Sequence, residues 1–244
     1  MKPEFKVDTR EFERSLVQYR VESGKSWREV IREQARLLLV RLLKLTPPRK
    51  QAEGRKAVAG DIRRVMTDFG RFRFDNQKIQ KEWEDRNWNA LEVIFGRSTK
   101  LSRFDLSDDV HPAEHRRARN TRGRVPKSNS PKVLVKRPAK LKRYITGVQK
   151  RVGITKAGWS AGLRALGAKL PAWVARHGTR FGSVQDATTR SRNPSMRIIN
   201  HTRGIGPIDR DERILAVALR GRARDMKTSL KKKLQHGARR ANFK

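Results

Sequence analysis

The sequence predicts an α+β protein: helix-rich, with a small antiparallel sheet, long N-terminal and C-terminal helices, and an extended basic arm between them. Three observations lead to that expectation. Apolar residues recur at helical spacing along much of the 244-residue chain, in runs that open at capping signatures and close at Gly or Pro. Two late stretches, around Phe181 to Thr189 and Met196 to Thr202, are joined by the turn formers Ser191-Arg192-Asn193-Pro194 and read as a hairpin. From His115 to Gln185 there is no Asp or Glu in 71 positions, while nineteen are Lys or Arg.

The elements follow in order. Asp8 and Glu11 have capping-box spacing, and Phe12, Leu16 and Tyr19 continue at helical intervals until Gly24 can take the left-handed conformation that ends a helix. Ser26 and Glu29 repeat the signature before a stripe of Trp27, Val30, Ile31, Ala35, Leu38, Leu42 and Leu45. Leu37, Leu39, Val40 and Leu43 widen that stripe beyond half the circumference, so this helix is expected to be buried on two sides. Pro47-Pro48 stops it. After a basic loop from Arg49 to Glu53, the spacing of Val58, Ile62, Val65, Met66 and Phe69 predicts a helix closed by Gly70. Ile79, Trp83, Leu91, Ile94 and Phe95 suggest another, although Val93-Ile94-Phe95 also fits a strand.

From Arg97 to Arg137 large apolar residues are few and breakers many, so this stretch is expected to be a loop or arm fixed by a partner. Val133 to Val135 is a short strand candidate, and Leu141, Tyr144, Ile145, Val148 and Val152 mark a basic amphipathic helix interrupted at Gly153. Trp159, Leu163 and Leu166 give a further helix, and Pro171 opens a turn through Trp173 and Val174 to Gly178. Asp209 and Glu212 cap the last long helix, with Leu215, Leu219, Met226, Leu230 and Leu234 as its buried stripe and Arg or Lys opposite. The organisation expected is a single α+β domain with an N-terminal helical part over 1–96, a basic loop or arm over 97–137, and a C-terminal part over 138–244 holding the hairpin and closing helix.

Charge narrows the function. The formal net charge is +36 and the apolar share 36%, below the usual globular level. Such a balance points to polyanionic partners: nucleic acid, acidic protein or an anionic membrane surface. Membrane is the weakest of these, because no run reaches bilayer length and the start at Met1-Lys2-Pro3-Glu4-Phe5 lacks a signal-peptide core. Without cysteine there is no disulfide framework and no thiolate chemistry, which fits a reducing cytosol. The candidate polyanion contacts are Arg116, Arg117, Arg119, Arg122, Arg124, Lys127, Lys132, Lys136, Arg137, Lys140, Lys142 and Arg143, with Lys231, Lys232, Lys233, Arg239 and Arg240 in the tail. A balanced surface would intersperse carboxylates among them, so neutralisation from outside the chain is expected.

Motifs that invite chemistry fail on inspection, and no catalytic residue, metal or cofactor is expected. His111-Pro112-Ala113-Glu114-His115 has zincin-like spacing, but its arginine flank opposes a dication, and a helix start with Pro112 in the first turn explains the same residues. Gly153 to Gly158 begins like a phosphate loop, yet Trp159 stands where Lys is needed. Gly204-Ile205-Gly206 lacks the third glycine of a dinucleotide site. His177 beside Trp173 has no visible nucleophile or carboxylate partner. Trp27, Trp83, Trp159 and Trp173 fall on helical stripes and read as core, not as base-stacking platforms.

Two blocks carry a resemblance. The leading Phe5, the Trp27 to Leu45 helix with its stop at Leu45-Thr46-Pro47-Pro48, and Glu53-Gly54-Arg55-Lys56-Ala57-Val58 with Asp61-Ile62 form the first. Lys156-Ala157-Gly158-Trp159, Leu170-Pro171-Ala172-Trp173-Val174-Ala175-Arg176-His177-Gly178 and Arg197-Ile198-Ile199-Asn200 form the second. Together they resemble the minor tail or tail-completion proteins of long-tailed bacteriophages, which join head to tail at the neck. The resemblance implies a non-enzymatic virion subunit, assembled in the host cytoplasm as a homo-oligomeric ring. It would meet neighbouring neck, tail-terminator, tail-tube or tape-measure proteins and, through its basic surfaces, duplex DNA without sequence preference. The alternative is a free sequence-independent nucleic-acid-binding protein.

Overall fold

The computed structural model describes residues 9–68, 77–97, 105–120, 123–189, 194–203, 205–208 and 213–242. The fold is α+β and helix-rich, with a two-stranded antiparallel sheet, and a small parallel sheet that the sequence reading did not anticipate. The chain forms two compact units. One comprises 1–49 with 153–244; the other, 50–152, is inserted between these halves.

In the discontinuous unit, helices α1 (Arg10–Ser23) and α2 (Trp27–Leu45) are followed, after the insertion, by three short helices: α8 (Ile154–Ala157), α9 (Ser160–Ala165) and α10 (Ala172–Ala175). Strands β4 (Gly182–Asp186) and β5 (Met196–Asn200), the turn α11 (Ile205–Ile208) and the long α12 (Arg213–Asn242) complete it. Gly24 closes α1 at φ 66°, a left-handed conformation that glycine adopts without Cβ strain. The expected capping box of α2 is present: the Glu29 backbone N–H donates to the Ser26 hydroxyl, and the Ser26 N–H donates to the Glu29 carboxylate. Such a cap contributes ~1 kcal/mol. Helix α2 is buried on two sides, as its wide stripe predicts. Val30 lies in a cluster with Tyr19, Met226 and Leu230, and Leu39, Leu42 and Leu43 lie in another with Leu163, Val174 and Ala218.

The hairpin pairs Gly182 with Asn200 and Asp186 with Met196, and its Ile198 reaches the second cluster. Its turn residues Ser191, Arg192 and Asn193 lie outside the described residues, as do Asp8, Asp209, Glu212 and Gly204. Of the stripe expected on the closing helix, Leu219, Met226 and Leu230 are buried, but Leu234 is 62% exposed. Burial ends there because every residue from Lys231 to His236 is exposed.

In the inserted unit, α3 (Gln51–Arg63) begins inside the expected basic loop and ends before Met66. Met66 instead opens β1 (Met66–Asp68), which corrects the helix expected to run on to Phe69; Phe69 and Gly70 lie outside the described residues. Helices α4 (Gln77–Glu84) and α5 (Trp88–Arg97) replace the one expected there, broken at Arg86 with φ 55°. Val93-Ile94-Phe95 is therefore helical.

The stretch expected as an arm carries β2 (Asp105–Ser107), α6 (Pro112–Arg117) and β3 (Val133–Val135), before α7 (Pro138–Gln149). Strand β3 is central in a parallel sheet of order β1-β3-β2, with Met66 and Asp105 both opposite Val133. All three β3 residues are buried. Side chains alternate across a strand, so Val133 and Val135 enter a cluster with Ile62, Met66, Leu141 and Ile145, while Leu134 enters another with Ile79, Trp83 and Leu91. The helical part, arm and C-terminal part expected from the sequence are thus replaced by a nested arrangement.

Candidate polyanion interface

The basic residues of the inserted unit are held by different devices, and the carboxylates missing from their sequence neighbourhood come from elsewhere in the chain. Buried Asp61 on α3 accepts from Arg124 through Nε at 2.6 Å and Nη2 at 3.2 Å, and also from Arg64. Arg64 donates onward to the Val125 carbonyl, and Asn129 donates back to the Arg64 carbonyl. The segment around Arg124 is thereby fastened to α3. Lys136 pairs with Glu92 at 2.9 Å and lies 5.6 Å from the Trp88 ring centroid. Arg117 pairs with Glu114, Arg137 with Asp108, and Lys140 with Asp109, whose carboxyl the Lys140 ammonium holds below the usual range.

Arg117, Arg124, Lys136, Arg137 and Lys140 therefore have carboxylate partners within the chain, Arg124 sharing Asp61 with Arg64. Exposed Arg116, Arg119, Lys127, Lys132, Lys142 and Arg143 have no carboxylate partner among the described residues. Arg122 lies outside those residues. In the discontinuous unit, Lys231, Lys232 and Lys233 are exposed on α12, where Arg239 and Arg240 also lie, with side chains outside the described set. Sequence reasoning passed over Arg220 and Arg224. With Lys231, they fall on one face of α12 at helical spacing and are exposed.

The sequence also failed to mark what surrounds Tyr144. His115, 1% exposed, places Nδ1 3.0 Å from the Tyr144 hydroxyl and Nε2 3.4 Å from Nη2 of Arg119. Burial first, and then the Arg119 charge, lower the His115 pKa to about 4, so the imidazole is neutral at pH 7. Burial raises the Tyr144 pKa, while the nearby guanidiniums of Arg119, Arg116 and Arg151 act in the opposite direction. Arg151 was absent from the expected contacts. The only hint of this arrangement was helical phase, which puts Tyr144 beside the buried stripe of α7.

The motifs declined for chemistry have structural explanations. His111 precedes α6 as its N-cap residue, with Nε2 2.7 Å from the Ser107 hydroxyl, whereas His115 faces Tyr144. Among the described residues no group of three metal-ligating side chains converges. The Gly153 to Gly158 turn is filled: a Cβ on Gly153 would lie 2.8 Å from the Trp173 ring, and one on Gly158 would lie 1.9 Å from Asn200 Oδ1. The His177 ring nitrogen Nε2 accepts from the cationic Arg176 at 3.4 Å. Trp83 is buried, and half-buried Trp159 and Trp173 pack on the core.

Parts of the two resemblance blocks meet in the discontinuous unit. The Leu43 carbonyl would ordinarily accept from residue 47, but Pro47 has no N–H. Buried Lys156 donates its ammonium to that carbonyl instead. Trp159 Nε1 donates to the Thr46 hydroxyl at 3.1 Å, and Thr46 donates to the Leu42 carbonyl at 2.7 Å. Comparison with family models, curated proteins and solved structures returns no match to this chain.

Proposed function

We propose that the chain is a structural, non-catalytic subunit of a long-tailed phage virion, located at the neck or tail end, where it completes the tail and joins it to the DNA-filled head. In this reading it works in a homo-oligomeric ring among neighbouring neck, tail-terminator, tail-tube or tape-measure proteins, after assembly in the host cytoplasm. Its basic surfaces face duplex DNA or acidic neighbours. The observation that carries the reading is charge left over after internal pairing: the chain holds 60 Lys and Arg against 24 Asp and Glu, and exposed Lys142 and Arg143 on α7, with Arg220, Arg224, Lys231, Lys232 and Lys233 on α12, have no carboxylate partner among the described residues. The residue blocks that resemble tail-completion proteins supply the virion context.

A ring multiplies this excess by its copy number, and a lumen so charged would hold duplex DNA through phosphate contacts that read no sequence. No helix among the described residues is long and apolar enough to cross a membrane. Two measurements test the reading. Light scattering of the purified chain, alone and mixed with candidate neck proteins, is expected to give a ring-sized species. Mass spectrometry of purified virions is expected to find the chain at ring stoichiometry. A persistent monomer that binds duplex DNA and is absent from virions would replace this reading with that of a free nucleic-acid-binding protein.

A further inference from the structure

The geometry points to a built seat for one backbone phosphate of duplex DNA, in which the Tyr144 hydroxyl donates to a phosphate oxygen between the guanidiniums of Arg116, Arg119 and Arg151. The seat rests on the polyanion-binding reading and adds to it a specific ligand group and a specific neutral donor. The inference follows from proton bookkeeping at His115. A guanidinium can only donate, so the Nε2 that faces Arg119 at 3.4 Å must present its lone pair. The ring is buried and neutral, so its single proton lies on Nδ1. Nδ1–H then donates to the Tyr144 oxygen across 3.0 Å.

That assignment leaves the phenolic proton of Tyr144 directed away from His115, with no acceptor for it among the described residues. The two rings meet edge to face, at 86° with centroids 5.9 Å apart, which fixes the hydroxyl against the buried imidazole. Arg116, Arg119 and Arg151 are all exposed and all act electrostatically on this hydroxyl. A donor without an acceptor, under the field of three exposed cations, matches the requirements of a phosphate oxygen, which accepts charge-assisted hydrogen bonds. A neutral carbonyl or hydroxyl would gain less from the three charges than an anionic oxygen does. His115 is a positioning residue here: it fixes the direction of the phenol without touching the ligand.

The test uses the full chain and a random-sequence 20-base-pair duplex, titrated at several salt concentrations. Tyr144→Phe is expected to weaken binding about fivefold. It should leave the slope of log K against log salt unchanged, because it removes a donor and no charge. Arg151→Gln is expected to weaken binding and also to reduce that slope by about 0.9. In the Arg151→Gln background, Tyr144→Phe should lose most of its effect, since both groups hold the same phosphate. Because Tyr144→Phe strands a buried N–H and could unfold the chain, NMR of the wild type with inorganic phosphate gives a second readout. Tyr144 ring resonances should move with phosphate, and move less in Arg151→Gln.

Equal affinities for wild type and folded Tyr144→Phe, or ring resonances indifferent to phosphate, overturn the seat while leaving polyanion binding intact. A wild type that ignores duplex DNA but whose Tyr144 signals respond to phosphate sinks the DNA reading and keeps the seat.

Discussion

Lys156 is 3% exposed, has no carboxylate partner among the described residues, and meets the carbonyl that Pro47 leaves unpaired. Burial lowers its pKa from 10.5 to about 8. The unfolded chain therefore binds a proton more readily than the folded one between those values, so stability rises with pH across that window and falls as pH drops through about 8. Denaturant midpoints are expected to increase from pH 8 to pH 10.5 by the equivalent of about 2 kcal/mol, and Lys156→Met should abolish that increase. His115 has the same sign in another window: its stabilisation is complete above 6.5 and is lost as pH falls toward about 4. A flat profile there in wild type, or an unaltered one in His115→Phe, would contradict this assignment. Gly158→Ala should destabilise by more than about 2 kcal/mol, because the added Cβ meets Asn200 and that side chain is itself bonded to the Thr155 carbonyl. None of these contacts could be read from the sequence. Lys156, Gly158 and Asn200 were visible only as members of a familiar pattern, and their reason for being together is tertiary.

Among the elements, α2 was legible almost to the residue, because its start is a local reciprocal cap and its end a pair of prolines. Ser26→Ala is expected to cost ~1 kcal/mol in chemical denaturation, with no effect on duplex binding. Strand β1 was illegible for the opposite reason. Val58, Ile62, Val65 and Met66 keep helical spacing, and what makes Met66 a strand is its pairing with Val133 from a distant part of the chain. Three-residue strands are too short for a period to register, and polar Asp105 and Ser107 conceal β2 further. Apolar spacing marks the closing helix but extends its stripe to Leu234, which is 62% exposed. Converting Lys231, Lys232 and Lys233 together to Gln should lower duplex affinity and its salt slope while leaving the thermal midpoint within about 2 °C, since these side chains are exposed.

At the scale of the whole molecule, apolar spacing and turn residues predict the helix-rich α+β class that the structure has, but they conceal the nesting of one unit inside another. Nothing in residue order marks Arg49 and Gly153 as neighbouring limits of one unit, since the decision rests on which helices pack together. The inserted unit has two hydrophobic clusters on opposite faces of its own sheet. Residues 50–152 expressed alone are therefore expected to fold cooperatively, with near-native helical circular dichroism and a sigmoidal melt. The substitution of Lys156 for the missing N–H of Pro47 also sets a timetable for the nascent polypeptide. Leu43 leaves the ribosome 113 residues ahead of the side chain that completes its helix, a wait of roughly 6 to 23 seconds at ordinary elongation rates. During that interval the side of α2 that carries Leu39, Leu42 and Leu43 lacks Leu163, Val174 and Ala218, while the segment emerging behind it can already finish folding. Slowed translation is therefore expected to lengthen the wait of one early helix for a late lysine.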